Sequence, residues 1–547
     1  MATASDCENR TSLRIIGSTG SRIGWYHRGS SLSDDCSHSH SIALHFRSER
    51  FIDLAFLGLD IGSSELKATI YDLDGNCLSI AKTEVKAAQV HDGRAELDPE
   101  AFWNSVCEAI SAICRPLRRP LEAAAISSQG ESFLPLDESG QAVGNIILNV
   151  DSRAGLEMEE FSAAFGGDSL YRRTGLPSHP MYSLAKIAWL RKNQPETFGK
   201  SARFVCLEDY ILSRLGMEPA ISSPLASRTL GLNINRNAWD EDLLSFAGVT
   251  TKQFSRVEPS GSAVGVAAPK IAAELGLPHG VVWCTGGHDQ VCASIGAGAS
   301  EPGTLADGTG TFECISVPMT APLLSEASLA ANFPCERHAI AGQFLSLAYI
   351  PGGIVLKWLR DTCNRDRVAQ AKATGESAYD LMLADIADDP TGLFFFPYLL
   401  GTGTPWLESG ARASIWGLTS STTSEQLIKA AIEGVCYEMR RNLEIFKSLS
   451  IVFDSILAVG GGAKSAHWLQ MKADIFRCPV VAVSGEASSR GAAICAGMGA
   501  NVYRNWNEGI AAMVKPGRVF EPRRAAEQQY QELFEKYKDL AHRIYGQ

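Results

Sequence analysis

The chain has 547 residues, too many for one ordinary core, so two or three domains are expected, with any site between them. Its 45% hydrophobic and 20% charged residues set aside a disordered or fibrous chain. The formal net charge of -11, with Asp and Glu dispersed, offers no basic face to nucleic acid or an anionic membrane, which leaves a small molecule as the expected partner.

The 14 cysteines form no CxxC pair and several sit inside apolar runs, Cys284 and Cys495 among them, so reduced core residues are expected. No apolar run reaches the roughly 18 to 20 residues of a membrane helix, and no basic segment followed by a hydrophobic stretch opens the chain; both point to a cytoplasmic protein. A homodimer is compatible with these features.

Residues 1–54 are rich in Ser, Arg and His without lasting periodicity and are expected to be disordered. Asp6, Glu8, Asp34 and Asp35 make them too acidic for a typical transit peptide. Cys36, His38 and His40 are spaced like metal ligands, but such a tail supplies no rigid further ligand, so no metal site is assigned there.

From Ala55 onward strands and helices alternate with Gly-rich turns, the pattern of an α/β protein. The run Ala55 to Leu59 predicts a strand. A second follows in Leu66 to Asp72 and ends at the hairpin signal Asp74-Gly75. The loop between them holds Asp60, Gly62, Ser63 and Ser64, with Lys67 just beyond. Gly admits a close ligand, Ser and backbone N–H groups suit phosphate oxygens, a strand-end Asp can hold Mg²⁺ through water, and Lys67 adds a mobile positive charge. A Gly-Ser turn after a strand is more often only a turn.

Two strand ends farther on carry polar groups that suit a polyhydroxylated ligand: Gln129, Gly130 and Glu131 after one strand, Asp151 and Arg153 after another, although the last two would also pair with each other. Val281 to Thr285 predicts a strand presenting Gly286-Gly287-His288-Asp289 before a helix. Asp289 there is either a helix cap or a carboxylate that orients a hydroxyl and accepts its proton during phosphoryl transfer, with His288 assisting or packing.

Near the middle, Thr304 to Val317 repeats the strand-loop-strand unit with Asp307-Gly308-Thr309-Gly310-Thr311 as its loop, in the same chemistry as the first. This duplication predicts two related lobes, residues 55–303 and 304–547. A third glycine element, Gly460-Gly461-Gly462-Ala463, ends an apolar strand and suits the flat face of a nucleoside. Lys464-Ser465 beside it gives no true P-loop, because Ala463 stands where that pattern needs Gly, and no GxGxxG opens a helix. The segment Arg524 to Tyr545 carries Tyr530, Phe534, Tyr537 and Ile544 at helical spacing and predicts an amphipathic helix on the second lobe.

In this order the segments resemble the FGGY family of carbohydrate kinases, from about residue 55 to the C-terminus. Met181 to Asn193 is similar to the family's first signature, and residues 397–419, 430–440 and 486–497 are family-like as well. The resemblance implies two duplicated ribonuclease H-like lobes of the actin and hexokinase kind around a cleft, and phosphoryl transfer from ATP with Mg²⁺ to a small sugar (ketopentose or deoxyhexulose) or polyol. It implies that Asp289 is the catalytic base and Asp60 helps hold Mg²⁺. Gly62, Ser63, Ser64, Lys67, Gly310 and Thr311 would meet phosphates, and Gly460, Gly461, Gly462 and Ala463 would line the adenosine site. Gln129, Gly130, Glu131, Asp151 and His288 would face the sugar. Gly310-Thr311-Phe312-Glu313 and His288 are closer to the fuculose and rhamnulose kinase branch, and the xylulokinase-like Met-His at the sugar contact is replaced by Gly130-Glu131. Xylulokinase-like members are nonetheless nearer than glycerol kinase. Arg490 stands where the family has a small or apolar residue. The competing function on the same fold is a nucleotide-gated sugar-binding protein without turnover.

Overall fold

A computed structural model describes residues 54–547 apart from 86–88 and 92. The tail, with Cys36, His38 and His40, lies outside the described residues.

Two mixed sheets organise the molecule, and their thirteen strands are numbered here in chain order. The first sheet holds β1 (Ala55–Ile61), β2 (Glu65–Asp72), β3 (Cys77–Glu84), β4 (Leu121–Ser128), β5 (Ala263–Val266) and β6 (Val282–His288), in the spatial order β5-β6-β4-β1-β2-β3. The second holds β7 (Thr304–Thr309), β8 (Glu313–Met319), β9 (Cys335–Arg337), β10 (Phe344–Ile350), β11 (Ser455–Gly460), β12 (Val480–Val483) and β13 (Pro516–Phe520), in the order β9-β10-β8-β7-β11-β12-β13.

The predicted duplication is visible in the pairing. β1 runs antiparallel to β2 and parallel to β4, β2 is antiparallel to β3, and β4 is parallel to β6. β7 repeats this with β8 and β11, β8 with β10, and β11 with β12. Parallel central strands are covered on both faces, which is why β1 is buried at every position. Its odd-numbered Ala55, Leu57, Leu59 and Ile61 enter the first lobe's core, while Phe56 enters a core shared with Ala306 and Val459 of the second sheet. The same shared core receives the helices Asp289–Ala297 and Ala487–Gly499, so these two helices lie between the sheets.

Arg490 acquires a role here. Its Nε donates to the Gly296 carbonyl at 2.7 Å, near the C-terminal end of helix Asp289–Ala297, and its Nη1 to the Ser484 carbonyl at 2.7 Å. A guanidinium at a helix C-terminus meets the negative end of the dipole, so Arg490 ties the helix that begins at Asp289 to the second lobe.

A smaller five-stranded sheet and its helices pack as a separate apolar cluster within the first half of the chain. The family-like segment from Met181 supplies helix Ser183–Asn193, whose first eight residues are all buried. Ser183 Oγ donates to the Glu131 carbonyl at 3.0 Å and Lys186 Nζ to the Leu148 carbonyl at 2.8 Å, so this helix braces the chain around Glu131. The predicted C-terminal helix is Arg524–Tyr545, with Tyr530, Phe534 and Tyr537 fully buried in the second lobe's core and Ile544 packed at its margin. All cysteines among the described residues are free, and no described helix is long and apolar enough to cross a membrane.

Candidate active site

The two parallel halves end their central strands at the same side of the sheets, which places Asp60, Ser127, His288, Thr309 and Gly460 at strand C-termini. Open α/β sheets bind ligands at this edge. Asp60, the penultimate residue of β1, is only 8% exposed, and its Oδ1 accepts a hydrogen bond from Ser127 Oγ at 2.9 Å. Burial, joined by the nearby charge of Asp289 and opposed by that of Lys67, raises the Asp60 carboxyl to about 7.

Asp289 is the first residue of helix Asp289–Ala297, and the cap position belongs to His288, so Asp289 is not spent as a side-chain cap. Its side chain keeps a quarter of its exposure, and its Oδ1 lies 3.2 Å from His288 Nε2. Burial raises its pKa, with Glu131 and Glu336 adding and His288 opposing. The other ring nitrogen, His288 Nδ1, lies 2.9 Å from Oε1 of the fully buried Glu336. Burial disfavours the charged ring, but Glu336 and Asp289 outweigh it and raise the His288 pKa.

Next to this group Glu131 holds the positive φ of 60° beside Gly130 and pairs with Arg228, whose Nε donates to Oε1 at 2.7 Å. The Arg228 charge is penalised by burial and more than restored by Glu131 and Glu336. Gln129 Oε1, Arg228 Nη1 and Glu336 Oε2 are buried without a protein partner, an arrangement that costs energy unless a bound ligand supplies the missing bonds.

The glycine elements converge on a cavity of about 520 Å³ lined by Gly310, Thr311, Gly461 and Gly462 but not by Gly460, together with Trp468 of the helix that follows and with Lys357 and Tyr379, which the sequence did not single out. Its size falls within the range of small-molecule sites, with apolar walls for a ring and Ser377, Asp380, Lys464 and Ser465 at its polar rim. Gly353 is obligatory there, because a Cβ would sit 1.8 Å from the Gly310 carbonyl oxygen. Gly460, at φ 87°, approaches Thr309 in the same way.

Several expectations need correction. Lys67 is not a mobile phosphate contact: its Nζ is held by Glu486 at 2.8 Å, an ion pair between β2 and the residue preceding helix Ala487–Gly499. Asp151 does not reach the sugar side. It is fully buried, pairs with Arg153 at 2.7 Å and accepts from the Ala95 N–H at 2.6 Å. The Gly62 N–H is already given to the Glu65 carbonyl, which leaves Ser63 and Ser64 as the exposed groups of that loop. Ala463 packs against the second lobe's core instead of the cavity.

The second loop also departs from the first. Asp307 is fully buried and receives Lys472 Nζ at 2.5 Å. The same ammonium donates to Thr309 Oγ1 at 2.8 Å and lies 3.3 Å from Glu313. Burial opposes the Lys472 charge, but Asp307 and Glu313 raise its pKa nonetheless. Lys472 stood in plain view between Trp468, Met471 and Ile475 on an apolar helix face, and a lysine there is the signal that was available. A larger open groove of about 780 Å³ lies elsewhere, but its cations are engaged, Arg115 with the Glu274 carbonyl at 2.8 Å and Arg214 with Glu100 at 2.5 Å.

Residues 55–296 match the model of the FGGY family of carbohydrate kinases, N-terminal domain, and residues 308–500 that of the C-terminal domain. The chain is an FGGY carbohydrate kinase. It is a phosphotransferase with an alcohol group as acceptor, of a family that uses ATP. It is 30% identical over 449 residues to a gluconokinase of Bacillus subtilis (strain 168), covering 80% of this chain and 86% of that one. It is 26% identical over 489 residues to a xylulose kinase of the same organism, covering 88% and 96%. In structure it is similar to a ligand-bound xylulose kinase from Lactobacillus acidophilus, at TM-score 0.81 and 24% identity over 90% of this chain and 98% of that one. Similarity to xylulose kinases agrees with the expected branch; similarity to a gluconokinase was not anticipated.

Proposed function

We propose that this FGGY kinase transfers the γ-phosphoryl group of ATP to a hydroxyl of a small neutral sugar, a ketopentose or deoxyhexulose, or of a polyol, with Asp289 as general base. The observation that carries this is the position of Asp289 at a helix N-terminus with Oδ1 3.2 Å from His288 Nε2 and part of its surface open. The acceptor O–H bond breaks as the new O–P bond forms, the proton passes to Asp289, and ADP leaves with the electrons of the broken bond. The reaction asks mainly for positioning and charge stabilisation, which the exposed Thr311 and Ser63 and the Gly310 turn are placed to assist.

Asp60 suits Mg²⁺. No group of three or more acidic, His or Cys side chains with metal-binding geometry exists among the described residues, which fits an ion held by one carboxylate together with the substrate's phosphates. Burial and the neighbouring Asp289 raise the Asp60 pKa to about 7, and a dication would relieve that strain. When bound, Mg²⁺ would neutralise phosphate charge.

The cations nearest the base, Arg228 and His288, are both paired with carboxylates, which favours a neutral polyhydroxylated acceptor over an anionic sugar acid. Gluconate is therefore the informative negative control. ADP release measured across ketopentoses, deoxyhexuloses, polyols and gluconate tests the reading. Stimulation by a neutral acceptor is expected. Stimulation by gluconate alone overturns the substrate class, and ATP binding with no stimulated release favours the binding protein without turnover. The expected location is cytoplasmic, and a homodimer is tested by sedimentation.

A further inference from the structure

Two carboxylates flank one imidazole. Glu336 Oε1 lies 2.9 Å from Nδ1 of His288, and Asp289 Oδ1 lies 3.2 Å from Nε2. The Glu336 contact is a hydrogen bond and the Asp289 contact lies at ion-pair distance; an ionised carboxylate donates no hydrogen bond, so a ring facing both is best satisfied with a proton on each nitrogen. We propose that Glu336 keeps His288 doubly protonated, and that the ring in turn holds Oδ1 of Asp289 so that Oδ2 faces the acceptor hydroxyl. His288 and Glu336 are then positioning residues for the base. This rests on the assignment of Asp289 as that base.

Glu336 is not on the same sheet as the groups it serves. It lies on β9, at the edge of the second sheet, whereas His288 ends β6 of the first. The strand is nevertheless docked against the first half of the chain at both neighbouring residues. The Cys335 N–H donates to the Gly175 carbonyl at 2.7 Å and the Arg337 N–H to Ser227 Oγ at 3.2 Å. The carboxylate is thereby delivered to a fixed place, fully buried.

The surroundings are consistent with a cationic ring. Charged groups facing His288 are Glu336 from β9, Asp289 from its own helix, and Arg228 from beyond helix Ser223–Ser227; Glu131 faces Asp289. Arg228 pairs with Glu131 at 2.5 Å and also attracts Glu336 at longer range, while the ring is the cation in direct contact with both Glu336 and Asp289. The attraction of the two carboxylates exceeds the burial penalty on the ring. Space for this arrangement depends on Gly130: a Cβ there would lie 3.3 Å from the His288 ring and 3.1 Å from Arg228.

The test uses the full chain with ¹³C-labelled histidine, the His288 resonance being assigned by loss in His288→Gln. In the wild type the ring is expected to stay doubly protonated at neutral pH. In Glu336→Gln its titration midpoint moves to lower pH by about one unit. The alkaline limb of kcat/KM for the acceptor should move with it, KM for ATP should stay unchanged, and Glu336→Asp should recover part of the shift. A wild-type ring that is neutral at pH 7, or a midpoint that Glu336→Gln leaves in place, overturns the proposal. If Glu336→Gln does not fold, the wild-type titration decides alone. Absence of ADP release with every acceptor would count against the kinase chemistry assigned to Asp289, while the ring titration remains readable without substrate.

Discussion

The two glycine loops after β1 and β7 look alike as sequence and differ in charge once folded. At the first, Asp60 is 8% exposed, bonded only through Ser127, and carries a carboxyl raised to about 7 by burial. At the second, Asp307 is completely buried and neutralised by Lys472, which also fixes the Thr309 hydroxyl. One loop therefore keeps an acid only partly offset by Lys67, itself paired with Glu486, beside the proposed base Asp289, and is suited to a cation. The other spends its acid internally and presents backbone and hydroxyl groups, suited to phosphate. A duplicated fold supplies two equivalent positions, and the side chain delivered from a neighbouring helix decides which chemistry each performs.

The largest effect should come from removing the proposed base beside the first loop. Asp289→Ala should lower kcat by about 10³-fold or more while leaving ATP affinity, measured by calorimetry, near normal. Retained turnover would assign the proton to another group. Next is the second loop's hidden counter-charge. Lys472→Met leaves Asp307 and Glu313 buried without their cation, so chemical denaturation should show a loss of about 3 kcal/mol, accompanied by a higher KM for ATP and an unchanged KM for the acceptor. An intact KM for ATP would separate the ion pair from the phosphate loop.

Asp60→Asn should lower kcat by roughly 10²-fold at saturating Mg²⁺. It also carries a pH signature. A carboxyl raised above its ordinary value is protonated more readily in the folded state than in the unfolded chain. Stability contributed by that proton is present at low pH and is lost as pH climbs from 3.8 toward 7. Melting temperature against pH in the free protein should fall less steeply over that interval in Asp60→Asn than in the wild type; equal slopes would show that Asp60 titrates normally. Smallest is Lys67→Met, which removes an interlobe pair with Glu486 that is partly open to water. A KM for ATP changed less than about tenfold is expected, and a hundredfold rise would restore Lys67 to the phosphates.

The comparison also marks where sequence reasoning stopped. The strands β1 and β2, the repeated unit at β7 and β8, the C-terminal helix and the strand-end place of Asp289 were all legible, because each depends on local periodicity and turn chemistry. Lys67 was misplaced because the partner that claims it, Glu486, stands 419 residues away; for Asp151 the pairing with Arg153 was legible as an alternative, and the Ala95 N–H, 56 residues away, is the distant partner that completes its burial. A motif identifies which groups are available, and it cannot say which are already taken.

The sequence by itself determined the two-lobed α/β fold, the family and the candidate base, since these follow from patterns within a few residues and from their order along the chain. Only the tertiary structure decided how the charges are shared. Lys472 reaches Asp307 across 165 residues, Arg228 reaches Glu131 across 97 and Glu336 reaches His288 across 48. The reason is electrostatic: in a buried site a charge is stable only beside its counter-charge, and that neighbour is set by how the sheets and helices pack, at any distance along the chain.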